Sequence, residues 1–219
     1  MNRGARIALV ALGAVVAGVL VAVYVVGNLL ATPPTTSAAS SGAGTASLTM
    51  QTVAAFGSGD KPDWVSYLVQ DPQGNWVHTT YFKVPANSQI DVTIYQYDTS
   101  TGLRNPFLAQ VRGTQSGVAT FDGKTEPVIN ADDASHTFTV PDLGISVPLP
   151  GVADDAKNQC SAAPCTPDQA HTTITFSFMT PGPGTYRWQC FVPCALKTYF
   201  GNGGPMQTIG WMSGELVVA

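Results

Sequence analysis

The segment from residue 188 to residue 218, WQCFVPCALKTYFGNGGPMQTIGWMSGELVV, groups sulfur-bearing side chains around a glycine-rich loop. It contains Cys190, Cys194, Met206 and Met212, and it contains no histidine. Thiolate and thioether sulfurs are soft ligands that select soft metals. The two cysteines could instead form a disulfide, which an oxidising compartment permits. Three interpretations are therefore open: a soft-metal site, a disulfide-tied loop, or both.

Side-chain alternation predicts which histidine joins this sulfur. Successive side chains of a strand point to opposite faces, so Cys190 shares a face with Trp188. In the segment HTFTV, His136 shares a face with Phe138 in the same way. If the large apolar residues point into the core, then His136 and Cys190 point inward as well. The pattern predicts a buried histidine and a buried cysteine at the rim of one core.

Short strands must position these residues. Apolar residues alternate over residues 90–94 and again over residues 173–178, and residues 216–218 form a closing strand. The tetrapeptide PGPG at 181–184 then predicts a hairpin that returns the chain beside the strand it has just left. Reflection about this turn places His171 opposite Cys194, at the same end as His136. The fold class predicted is an all-β antiparallel sandwich.

The N-terminus predicts one transmembrane helix. Residues 7–26 are twenty uncharged residues, which is long enough to cross a hydrocarbon core about 30 Å thick. A cleaved secretory signal has an apolar region of only about 7–15 residues, so we expect an uncleaved anchor. Arg3 and Arg6 precede the span and no basic cluster follows it, which predicts a cytoplasmic N-terminus. The protein is then a single-pass cell-membrane protein.

Three regions follow from composition. Residues 1–31 form the cytoplasmic stub and anchor, residues 32–47 (TPPTTSAASSGAGTAS) are typical of a flexible linker, and residues 48–219 form one extracytoplasmic domain. The outer domain has eight basic and fourteen acidic residues. This balance argues against nucleic acid as a partner and against binding to an anionic membrane surface. It suits a basic redox partner, although an acidic surface also serves solubility.

Three segments resemble the cupredoxin family. They are YFKVPANSQIDVTI (81–94), ASHTFTVPDLGISVPLPG (134–151) and PGTYRWQC (183–190). The second is similar to the copper domain of cytochrome c oxidase subunit II. The resemblance implies a Greek-key sandwich that binds copper through His136, Cys190 and Met212. It also implies one-electron transfer in or near a respiratory chain, with a redox protein of that chain as partner.

The ligand set departs from the family pattern at its second histidine. Cys190 and Cys194 have the C-x3-C spacing of the binuclear copper centre of subunit II, but Thr198 and Gly201 stand where that family has histidine and methionine. We expect Cys194, Met206 or His171 to complete the site around His136, Cys190 and Met212. So soft a ligand set favours Cu(I) over Cu(II).

Cys160 and Cys165 lie in NQCSAAPCTPD, a loop of small residues that predicts a local disulfide. Four cysteines allow three pairings, so a second bridge between Cys190 and Cys194 is an open alternative. No catalytic triad, nucleotide-binding loop or zinc motif is visible in the sequence, which favours an electron-transfer or copper-binding protein over an enzyme. The other hypotheses are a Cu(I) chaperone or store, and a metal-free accessory subunit.

Overall fold

The structure is a computed structural model of the chain, and it describes residues 2–29, 34–42, 44–56, 64–102, 104–195 and 198–219. The chain divides into two compact units, Met1–Thr32 and Pro33–Ala219. The first unit contains helix α1 (Arg3–Tyr24), continued by a π-helical turn (Val25–Leu29). The side chain of Asn2 caps the helix by accepting a 2.9 Å hydrogen bond from the backbone N–H of Ala5.

After Arg6, helix α1 carries no charged residue. An 18-residue window within Arg3–Gly27 has a mean hydropathy of 2.8, and none of the helix side chains is buried within the protein. Length and composition allow this helix to be a membrane span or a signal sequence.

The second unit is a sandwich of two β-sheets around one main core. Its described residues form β1 (Thr35–Ser37), β2 (Ala39–Gly42), β3 (Thr45–Val53), β4 (Ser66–Gln70), β5 (Trp76–Val77), β6 (Tyr81–Val84), β7 (Gln89–Gln96), β8 (Ala119–Phe121), β9 (Lys124–Glu126), β10 (Ala134–Val140), β11 (Ile145–Pro150), β12 (Thr172–Met179), β13 (Gly184–Gln189) and β14 (Ser213–Val218). The first sheet has the order β1-β6-β14-β13-β10-β11. The second has the order β5-β4-β3-β7-β12-β8-β9, with β2 paired to β3.

The sheets are mixed rather than antiparallel. Strand β6 runs parallel to both β1 and β14, and β3 runs parallel to β7. The predicted sandwich is confirmed, and its predicted strand direction is corrected at these three pairs. The reason is that alternation of side chains reports which face of a strand is buried, and does not report the direction of the neighbouring strand.

The sandwich begins earlier than the sequence predicts. Strand β1 pairs with β6, β2 pairs with β3, and Thr36 and Ala46 are buried. Strands β1 and β2 lie within residues 32–47, so the flexible linker predicted there is corrected where the structure describes that segment. Small Thr, Ser and Ala side chains bury little apolar surface, but backbone hydrogen bonds and small inward side chains suffice for strands at a sheet edge.

The turn PGPG joins the two sheets. Strand β12 lies between β7 and β8 in the second sheet, whereas β13 lies between β14 and β10 in the first. The predicted hairpin between these strands is therefore wrong. Turn residues fix where the chain reverses, but they do not determine which sheet the next strand joins.

Aromatic side chains fill the centre of the core. Trp188 is completely buried, and its indole N–H donates a 2.8 Å hydrogen bond to the carbonyl of Thr80. The ring of Trp188 lies 4.9 Å from that of Tyr67, 5.4 Å from Phe82 and 5.6 Å from Phe138 between centroids. Trp188 belongs to β13 and Phe138 to β10, and these adjacent strands carry the candidate site.

Candidate metal centre

Strands β10 and β13 deliver the two residues that alternation places inward. His136 lies on β10, next to a register shift between residues 134 and 136 in its pairing with β11. Cys190 directly follows the last residue of β13. The loop from 190 to 212 then returns to the same point, because the backbone N–H of Cys190 donates a 2.9 Å hydrogen bond to the carbonyl of Met212.

One nitrogen and two sulfur atoms meet at this point. The Nδ1 atom of His136 lies 3.8 Å from the Sγ atom of Cys190, which lies 3.7 Å from the Sγ atom of Cys194. The three ligand atoms all lie within 4.8 Å of one another. Metal–sulfur bonds of about 2.3 Å and metal–nitrogen bonds of about 2.0 Å separate neighbouring ligands by roughly 3.5–4 Å in a tetrahedral site. The geometry fits a single metal ion held by these residues.

The site is dry and rich in sulfur. His136 and Cys190 are completely buried and Cys194 is 5% exposed. Both cysteines are free thiols, so the alternative disulfide between them is not formed. The Sδ atom of Met206 lies 3.2 Å from the Sγ atom of Cys194, which brings a thioether to the group. Met212 is also completely buried, and its backbone holds Cys190 as described above.

A carboxylate orients the histidine. The Nε2 atom of His136 lies 3.0 Å from the Oδ2 atom of Asp98. A ring N–H donated to this carboxylate leaves Nδ1 as the ligand nitrogen, the arrangement by which an outer carboxylate fixes the tautomer of a metal-binding histidine. Sequence reasoning missed Asp98, because it follows β7 of the other sheet, 38 residues before His136.

Backbone groups contact the sulfur of Cys190. The N–H of Thr137 donates a 3.4 Å hydrogen bond to Sγ of Cys190, and the carbonyl of Val192 lies 3.4 Å from the same atom. The side-chain oxygen of Thr137 in turn accepts a 2.9 Å hydrogen bond from the N–H of Phe191. The bond from Thr137 holds the cysteine sulfur against β10, the strand that carries the histidine.

The charges of the site are coupled. Burial lowers the pKa of His136, but hydrogen bonds and charges from Asp98 and Cys190 outweigh it and raise this pKa to about 9. Burial raises the pKa of the Cys190 thiol, yet contacts with Cys194 and His136 outweigh it and hold this pKa well below its usual range. Burial and the neighbouring Cys190 raise the pKa of Cys194. These shifts favour a proton on His136 and on Cys194, and the thiolate form of Cys190.

Removing the carboxylate of Asp98 tests its effect on His136. We expect Asp98→Asn to lower the pKa of His136 from about 9, because an amide can accept the ring hydrogen bond but carries no charge. Asp98→Ala loses the hydrogen bond as well and should weaken metal affinity by about 10–100-fold. An NMR pH titration of the His136 ring measures the first effect, with Asp154→Asn as the control in a polar loop. An unchanged titration midpoint in Asp98→Asn would contradict the effect of the Asp98 carboxylate on the pKa of His136.

The structure places His171 away from this group. Its ring lies 5.6 Å from that of Tyr95 and 5.1 Å from that of Tyr97, and its Nδ1 atom lies 2.7 Å from the carbonyl of Gln169. His171 is not one of the clustered ligand atoms in the described part of the chain. It was expected near Cys194 on the basis of the hairpin, and it precedes a strand of the opposite sheet instead.

The predicted local disulfide is present. Cys160 and Cys165 are bonded, with their Cα atoms 5.7 Å apart. Cys165 is buried in a second, smaller core with Val53, Leu68 and Tyr97. This bridge fixes the long loop that joins β11 to β12, and it leaves the other two cysteines available to the site.

Comparison with solved structures finds distant likenesses. Reduced rusticyanin matches at 18% identity and a TM-score of 0.34, over 84% of each chain. Rusticyanin from Thiobacillus ferrooxidans matches at 16% and 0.35, over 84% of this chain and 82% of that one. A multicopper oxidase matches at 12% and 0.31, over 83% of this chain and 46% of that one. No protein-family model and no curated protein matches the sequence.

At TM-scores of this size, the assignment of the fold depends on the strand order and the site of this chain. Two mixed sheets enclose one core, and β10 and β13 bring a histidine together with a cysteine. The last strand follows the cysteine after a loop that contains two methionines. In these features the second unit of the chain, Pro33–Ala219, has a cupredoxin-like fold.

Proposed function

We propose that this protein is a membrane-anchored, extracytoplasmic copper protein that transfers single electrons in connection with a respiratory chain. The observation that carries the proposal is the buried group of His136 Nδ1, Cys190 Sγ and Cys194 Sγ, all within 4.8 Å of one another. Thiolate ligands beside an imidazole suit copper. Met206 supplies a thioether through its contact with Cys194, and Met212 remains the further candidate from the family resemblance.

Each residue of the site has a distinct task. Copper, when bound, supplies a one-electron change between Cu(I) and Cu(II). The lowered pKa of Cys190 favours its thiolate, which is the form that binds copper. Asp98 orients His136. The burial of all the ligand side chains excludes water, which keeps the metal environment fixed during electron transfer.

The N-terminal helix supports a location at the cell membrane. In this proposal α1 remains as an uncleaved span, with Arg3 and Arg6 on the cytoplasmic side and the sandwich outside. The acidic balance of the outer residues favours a basic redox protein as partner.

A Cu(I) store or chaperone is the second candidate. It is favoured by the number of sulfur ligands, because Cys190, Cys194 and Met206 contribute three sulfur atoms against one imidazole. Such a set stabilises Cu(I). A metal-free accessory subunit is the third candidate, and it predicts no copper binding at all.

One experiment separates these candidates. The full-length protein is purified in detergent with copper present, and its metal content, optical spectrum and redox behaviour are measured. A strong visible thiolate-to-Cu(II) absorption with reversible cycling supports electron transfer. A tight but colourless Cu(I) complex supports the store or chaperone, and a protein without copper supports the accessory subunit.

Copper affinity should rise with pH. Below about pH 9, His136 is an imidazolium with a proton on each ring nitrogen. A metal must displace the proton on Nδ1. Release of this one proton weakens Cu(I) binding about tenfold for each unit of pH below this value. Where Cys194, whose pKa is raised, must also lose its proton, binding weakens about a hundredfold for each unit. Competition with a Cu(I) chelator at pH 6, 7 and 8 measures the slope. An affinity that is independent of pH would contradict the assigned ligands.

A further inference from the structure

A groove of about 460 Å³ lies beside the candidate metal centre, next to the residue that follows Cys190. Its apolar lining is formed by Phe107, Leu108, Pro141, Ile145 and Phe191. Phe107 is 62% exposed and Phe191 is 41% exposed, so two aromatic rings are open to solvent at one place. Volumes of roughly 300–1,000 Å³ are typical of small-molecule sites.

The walls of the groove are held in position without a ligand. The N–H of Arg112 donates a 2.8 Å hydrogen bond to the carbonyl of Ser146, and the N–H of Ser146 returns a 3.0 Å bond to Arg112. Gly113 follows at φ 70°, and a Cβ atom there would lie 2.6 Å from the carbonyl oxygen of Gly144. This backbone approach requires glycine. The two walls are therefore packed against each other, and the groove is preformed.

One cationic side chain lines the groove. The guanidinium of Arg112 stacks 3.8 Å above the ring centroid of Phe107, and its NH1 and NH2 groups donate to the carbonyl of Phe107 and to the side chain of Gln110. A guanidinium has five N–H donors, so these bonds fix its orientation and leave donors for a ligand. Among the described residues that line the groove there is no carboxylate.

We propose that this groove binds a small carboxylate with a flat apolar body. The apolar part lies against the rings of Phe107 and Phe191, and the carboxylate accepts hydrogen bonds from Arg112. Charge complementarity selects an anion, because Arg112 faces an apolar surface in a domain that is acidic elsewhere. The volume of about 460 Å³ suits a small molecule, since small-molecule sites have volumes of roughly 300–1,000 Å³. The site does not depend on a bound metal.

Hydrogen bonds connect the groove to Cys190. The hydroxyl of Thr139, on the groove lining, donates a 3.0 Å bond to the hydroxyl of Thr137. That oxygen accepts the 2.9 Å bond from the N–H of Phe191, and the N–H of Thr137 donates to the Cys190 sulfur. The backbone N–H of Phe191 therefore reports occupation of the groove.

The test uses 3-phenylpropionate with the full-length, copper-free protein in a zwitterionic detergent. Amide NMR shifts of Phe191, Thr139 and Ser146 are followed during titration, with protein-free micelles as the blank. The neutral 3-phenylpropanol and the cationic 3-phenylpropylamine have the same apolar body and serve as controls. We expect these shifts with the carboxylate, and at least tenfold weaker binding of the alcohol and the amine.

Two arginine variants locate the carboxylate. Arg112→Gln should weaken binding at least tenfold, whereas Arg187→Gln should change it by less than twofold. Arg187 is a matched control, because it is an exposed arginine whose NH2 group also donates to a glutamine, Gln189. In the unsubstituted protein, absence of shifts at these amides, or equal binding of the alcohol, would by itself overturn the proposal. Equal losses in the two variants would overturn the role of Arg112.

Discussion

Replacement of Cys190 by serine is expected to lower the Cu(I) affinity of the full-length protein by roughly a thousandfold or more. Loss of only a hydrogen-bond partner to a metal ligand costs about 10–100-fold, and this variant removes a ligand atom itself. The Sγ atom of Cys190 also lies at the centre of the group, 3.8 Å from His136 Nδ1 and 3.7 Å from Cys194 Sγ. The lowered pKa of its thiol favours the thiolate, which is the form that binds a metal.

Competition with a Cu(I) chelator at constant pH measures this effect. His136→Ala should also weaken binding strongly, since it removes the imidazole, and Cys194→Ser should remove the contact that brings Met206 to the site. Met179→Leu is the matched control, because it removes a sulfur atom from an exposed position on β12. Circular dichroism verifies that each variant is folded. Unchanged affinity in both Cys190→Ser and His136→Ala would rule the site out.

The largest effect on stability is expected at Trp188. Truncation of a completely buried tryptophan to alanine lowers the free energy of unfolding by about 3–5 kcal/mol. Trp188→Ala removes the ring that contacts Tyr67, Phe82 and Phe138, and it also leaves the buried carbonyl of Thr80 without its indole donor. That carbonyl keeps the 3.1 Å hydrogen bond that it accepts from the N–H of Glu215, so the lost ring contacts account for most of the expected change.

Urea unfolding of the full-length protein measures this change. Trp76→Ala is the matched control, since Trp76 lies on the short strand β5 and is only partly buried. It should lower the free energy of unfolding by about 1 kcal/mol. Trp188→Phe should fall between the two, because it keeps an aromatic ring and loses the hydrogen bond to Thr80. Equal losses in Trp188→Ala and Trp76→Ala would contradict the central position of Trp188.

The inward positions of the site residues could be predicted from the sequence, because they depend only on the alternation of side chains along a strand. His136 shares a parity with Phe138, and Cys190 shares one with Trp188, and the structure buries all four side chains completely. A local rule of this kind requires no knowledge of the neighbouring strand. The disulfide between Cys160 and Cys165 could be predicted for a similar reason, since a short loop brings its own ends together.

The errors arose where a prediction required long-range pairing. His171 was placed near Cys194 by assuming that β12 and β13 form a hairpin, whereas these strands belong to different sheets. Asp98 was missed because it follows β7, a strand of one sheet, and approaches His136 on a strand of the other sheet. The edge strands within residues 35–47 were missed because their composition resembles that of a linker, and the pairing that orders them lies elsewhere in the sequence.

The closure of the loop at Cys190 and Met212 also makes the metal-binding segment a separable module. Strands β13 and β14 pair in register from Gly184 opposite Val218 to Gln189 opposite Ser213, and the chain leaves and rejoins this ladder at one place. Insertions, deletions or grafts between these ends fall outside the paired residues of the two strands. The scaffold can thus acquire a different metal preference through exchange of one loop, while His136 and the core stay as they are.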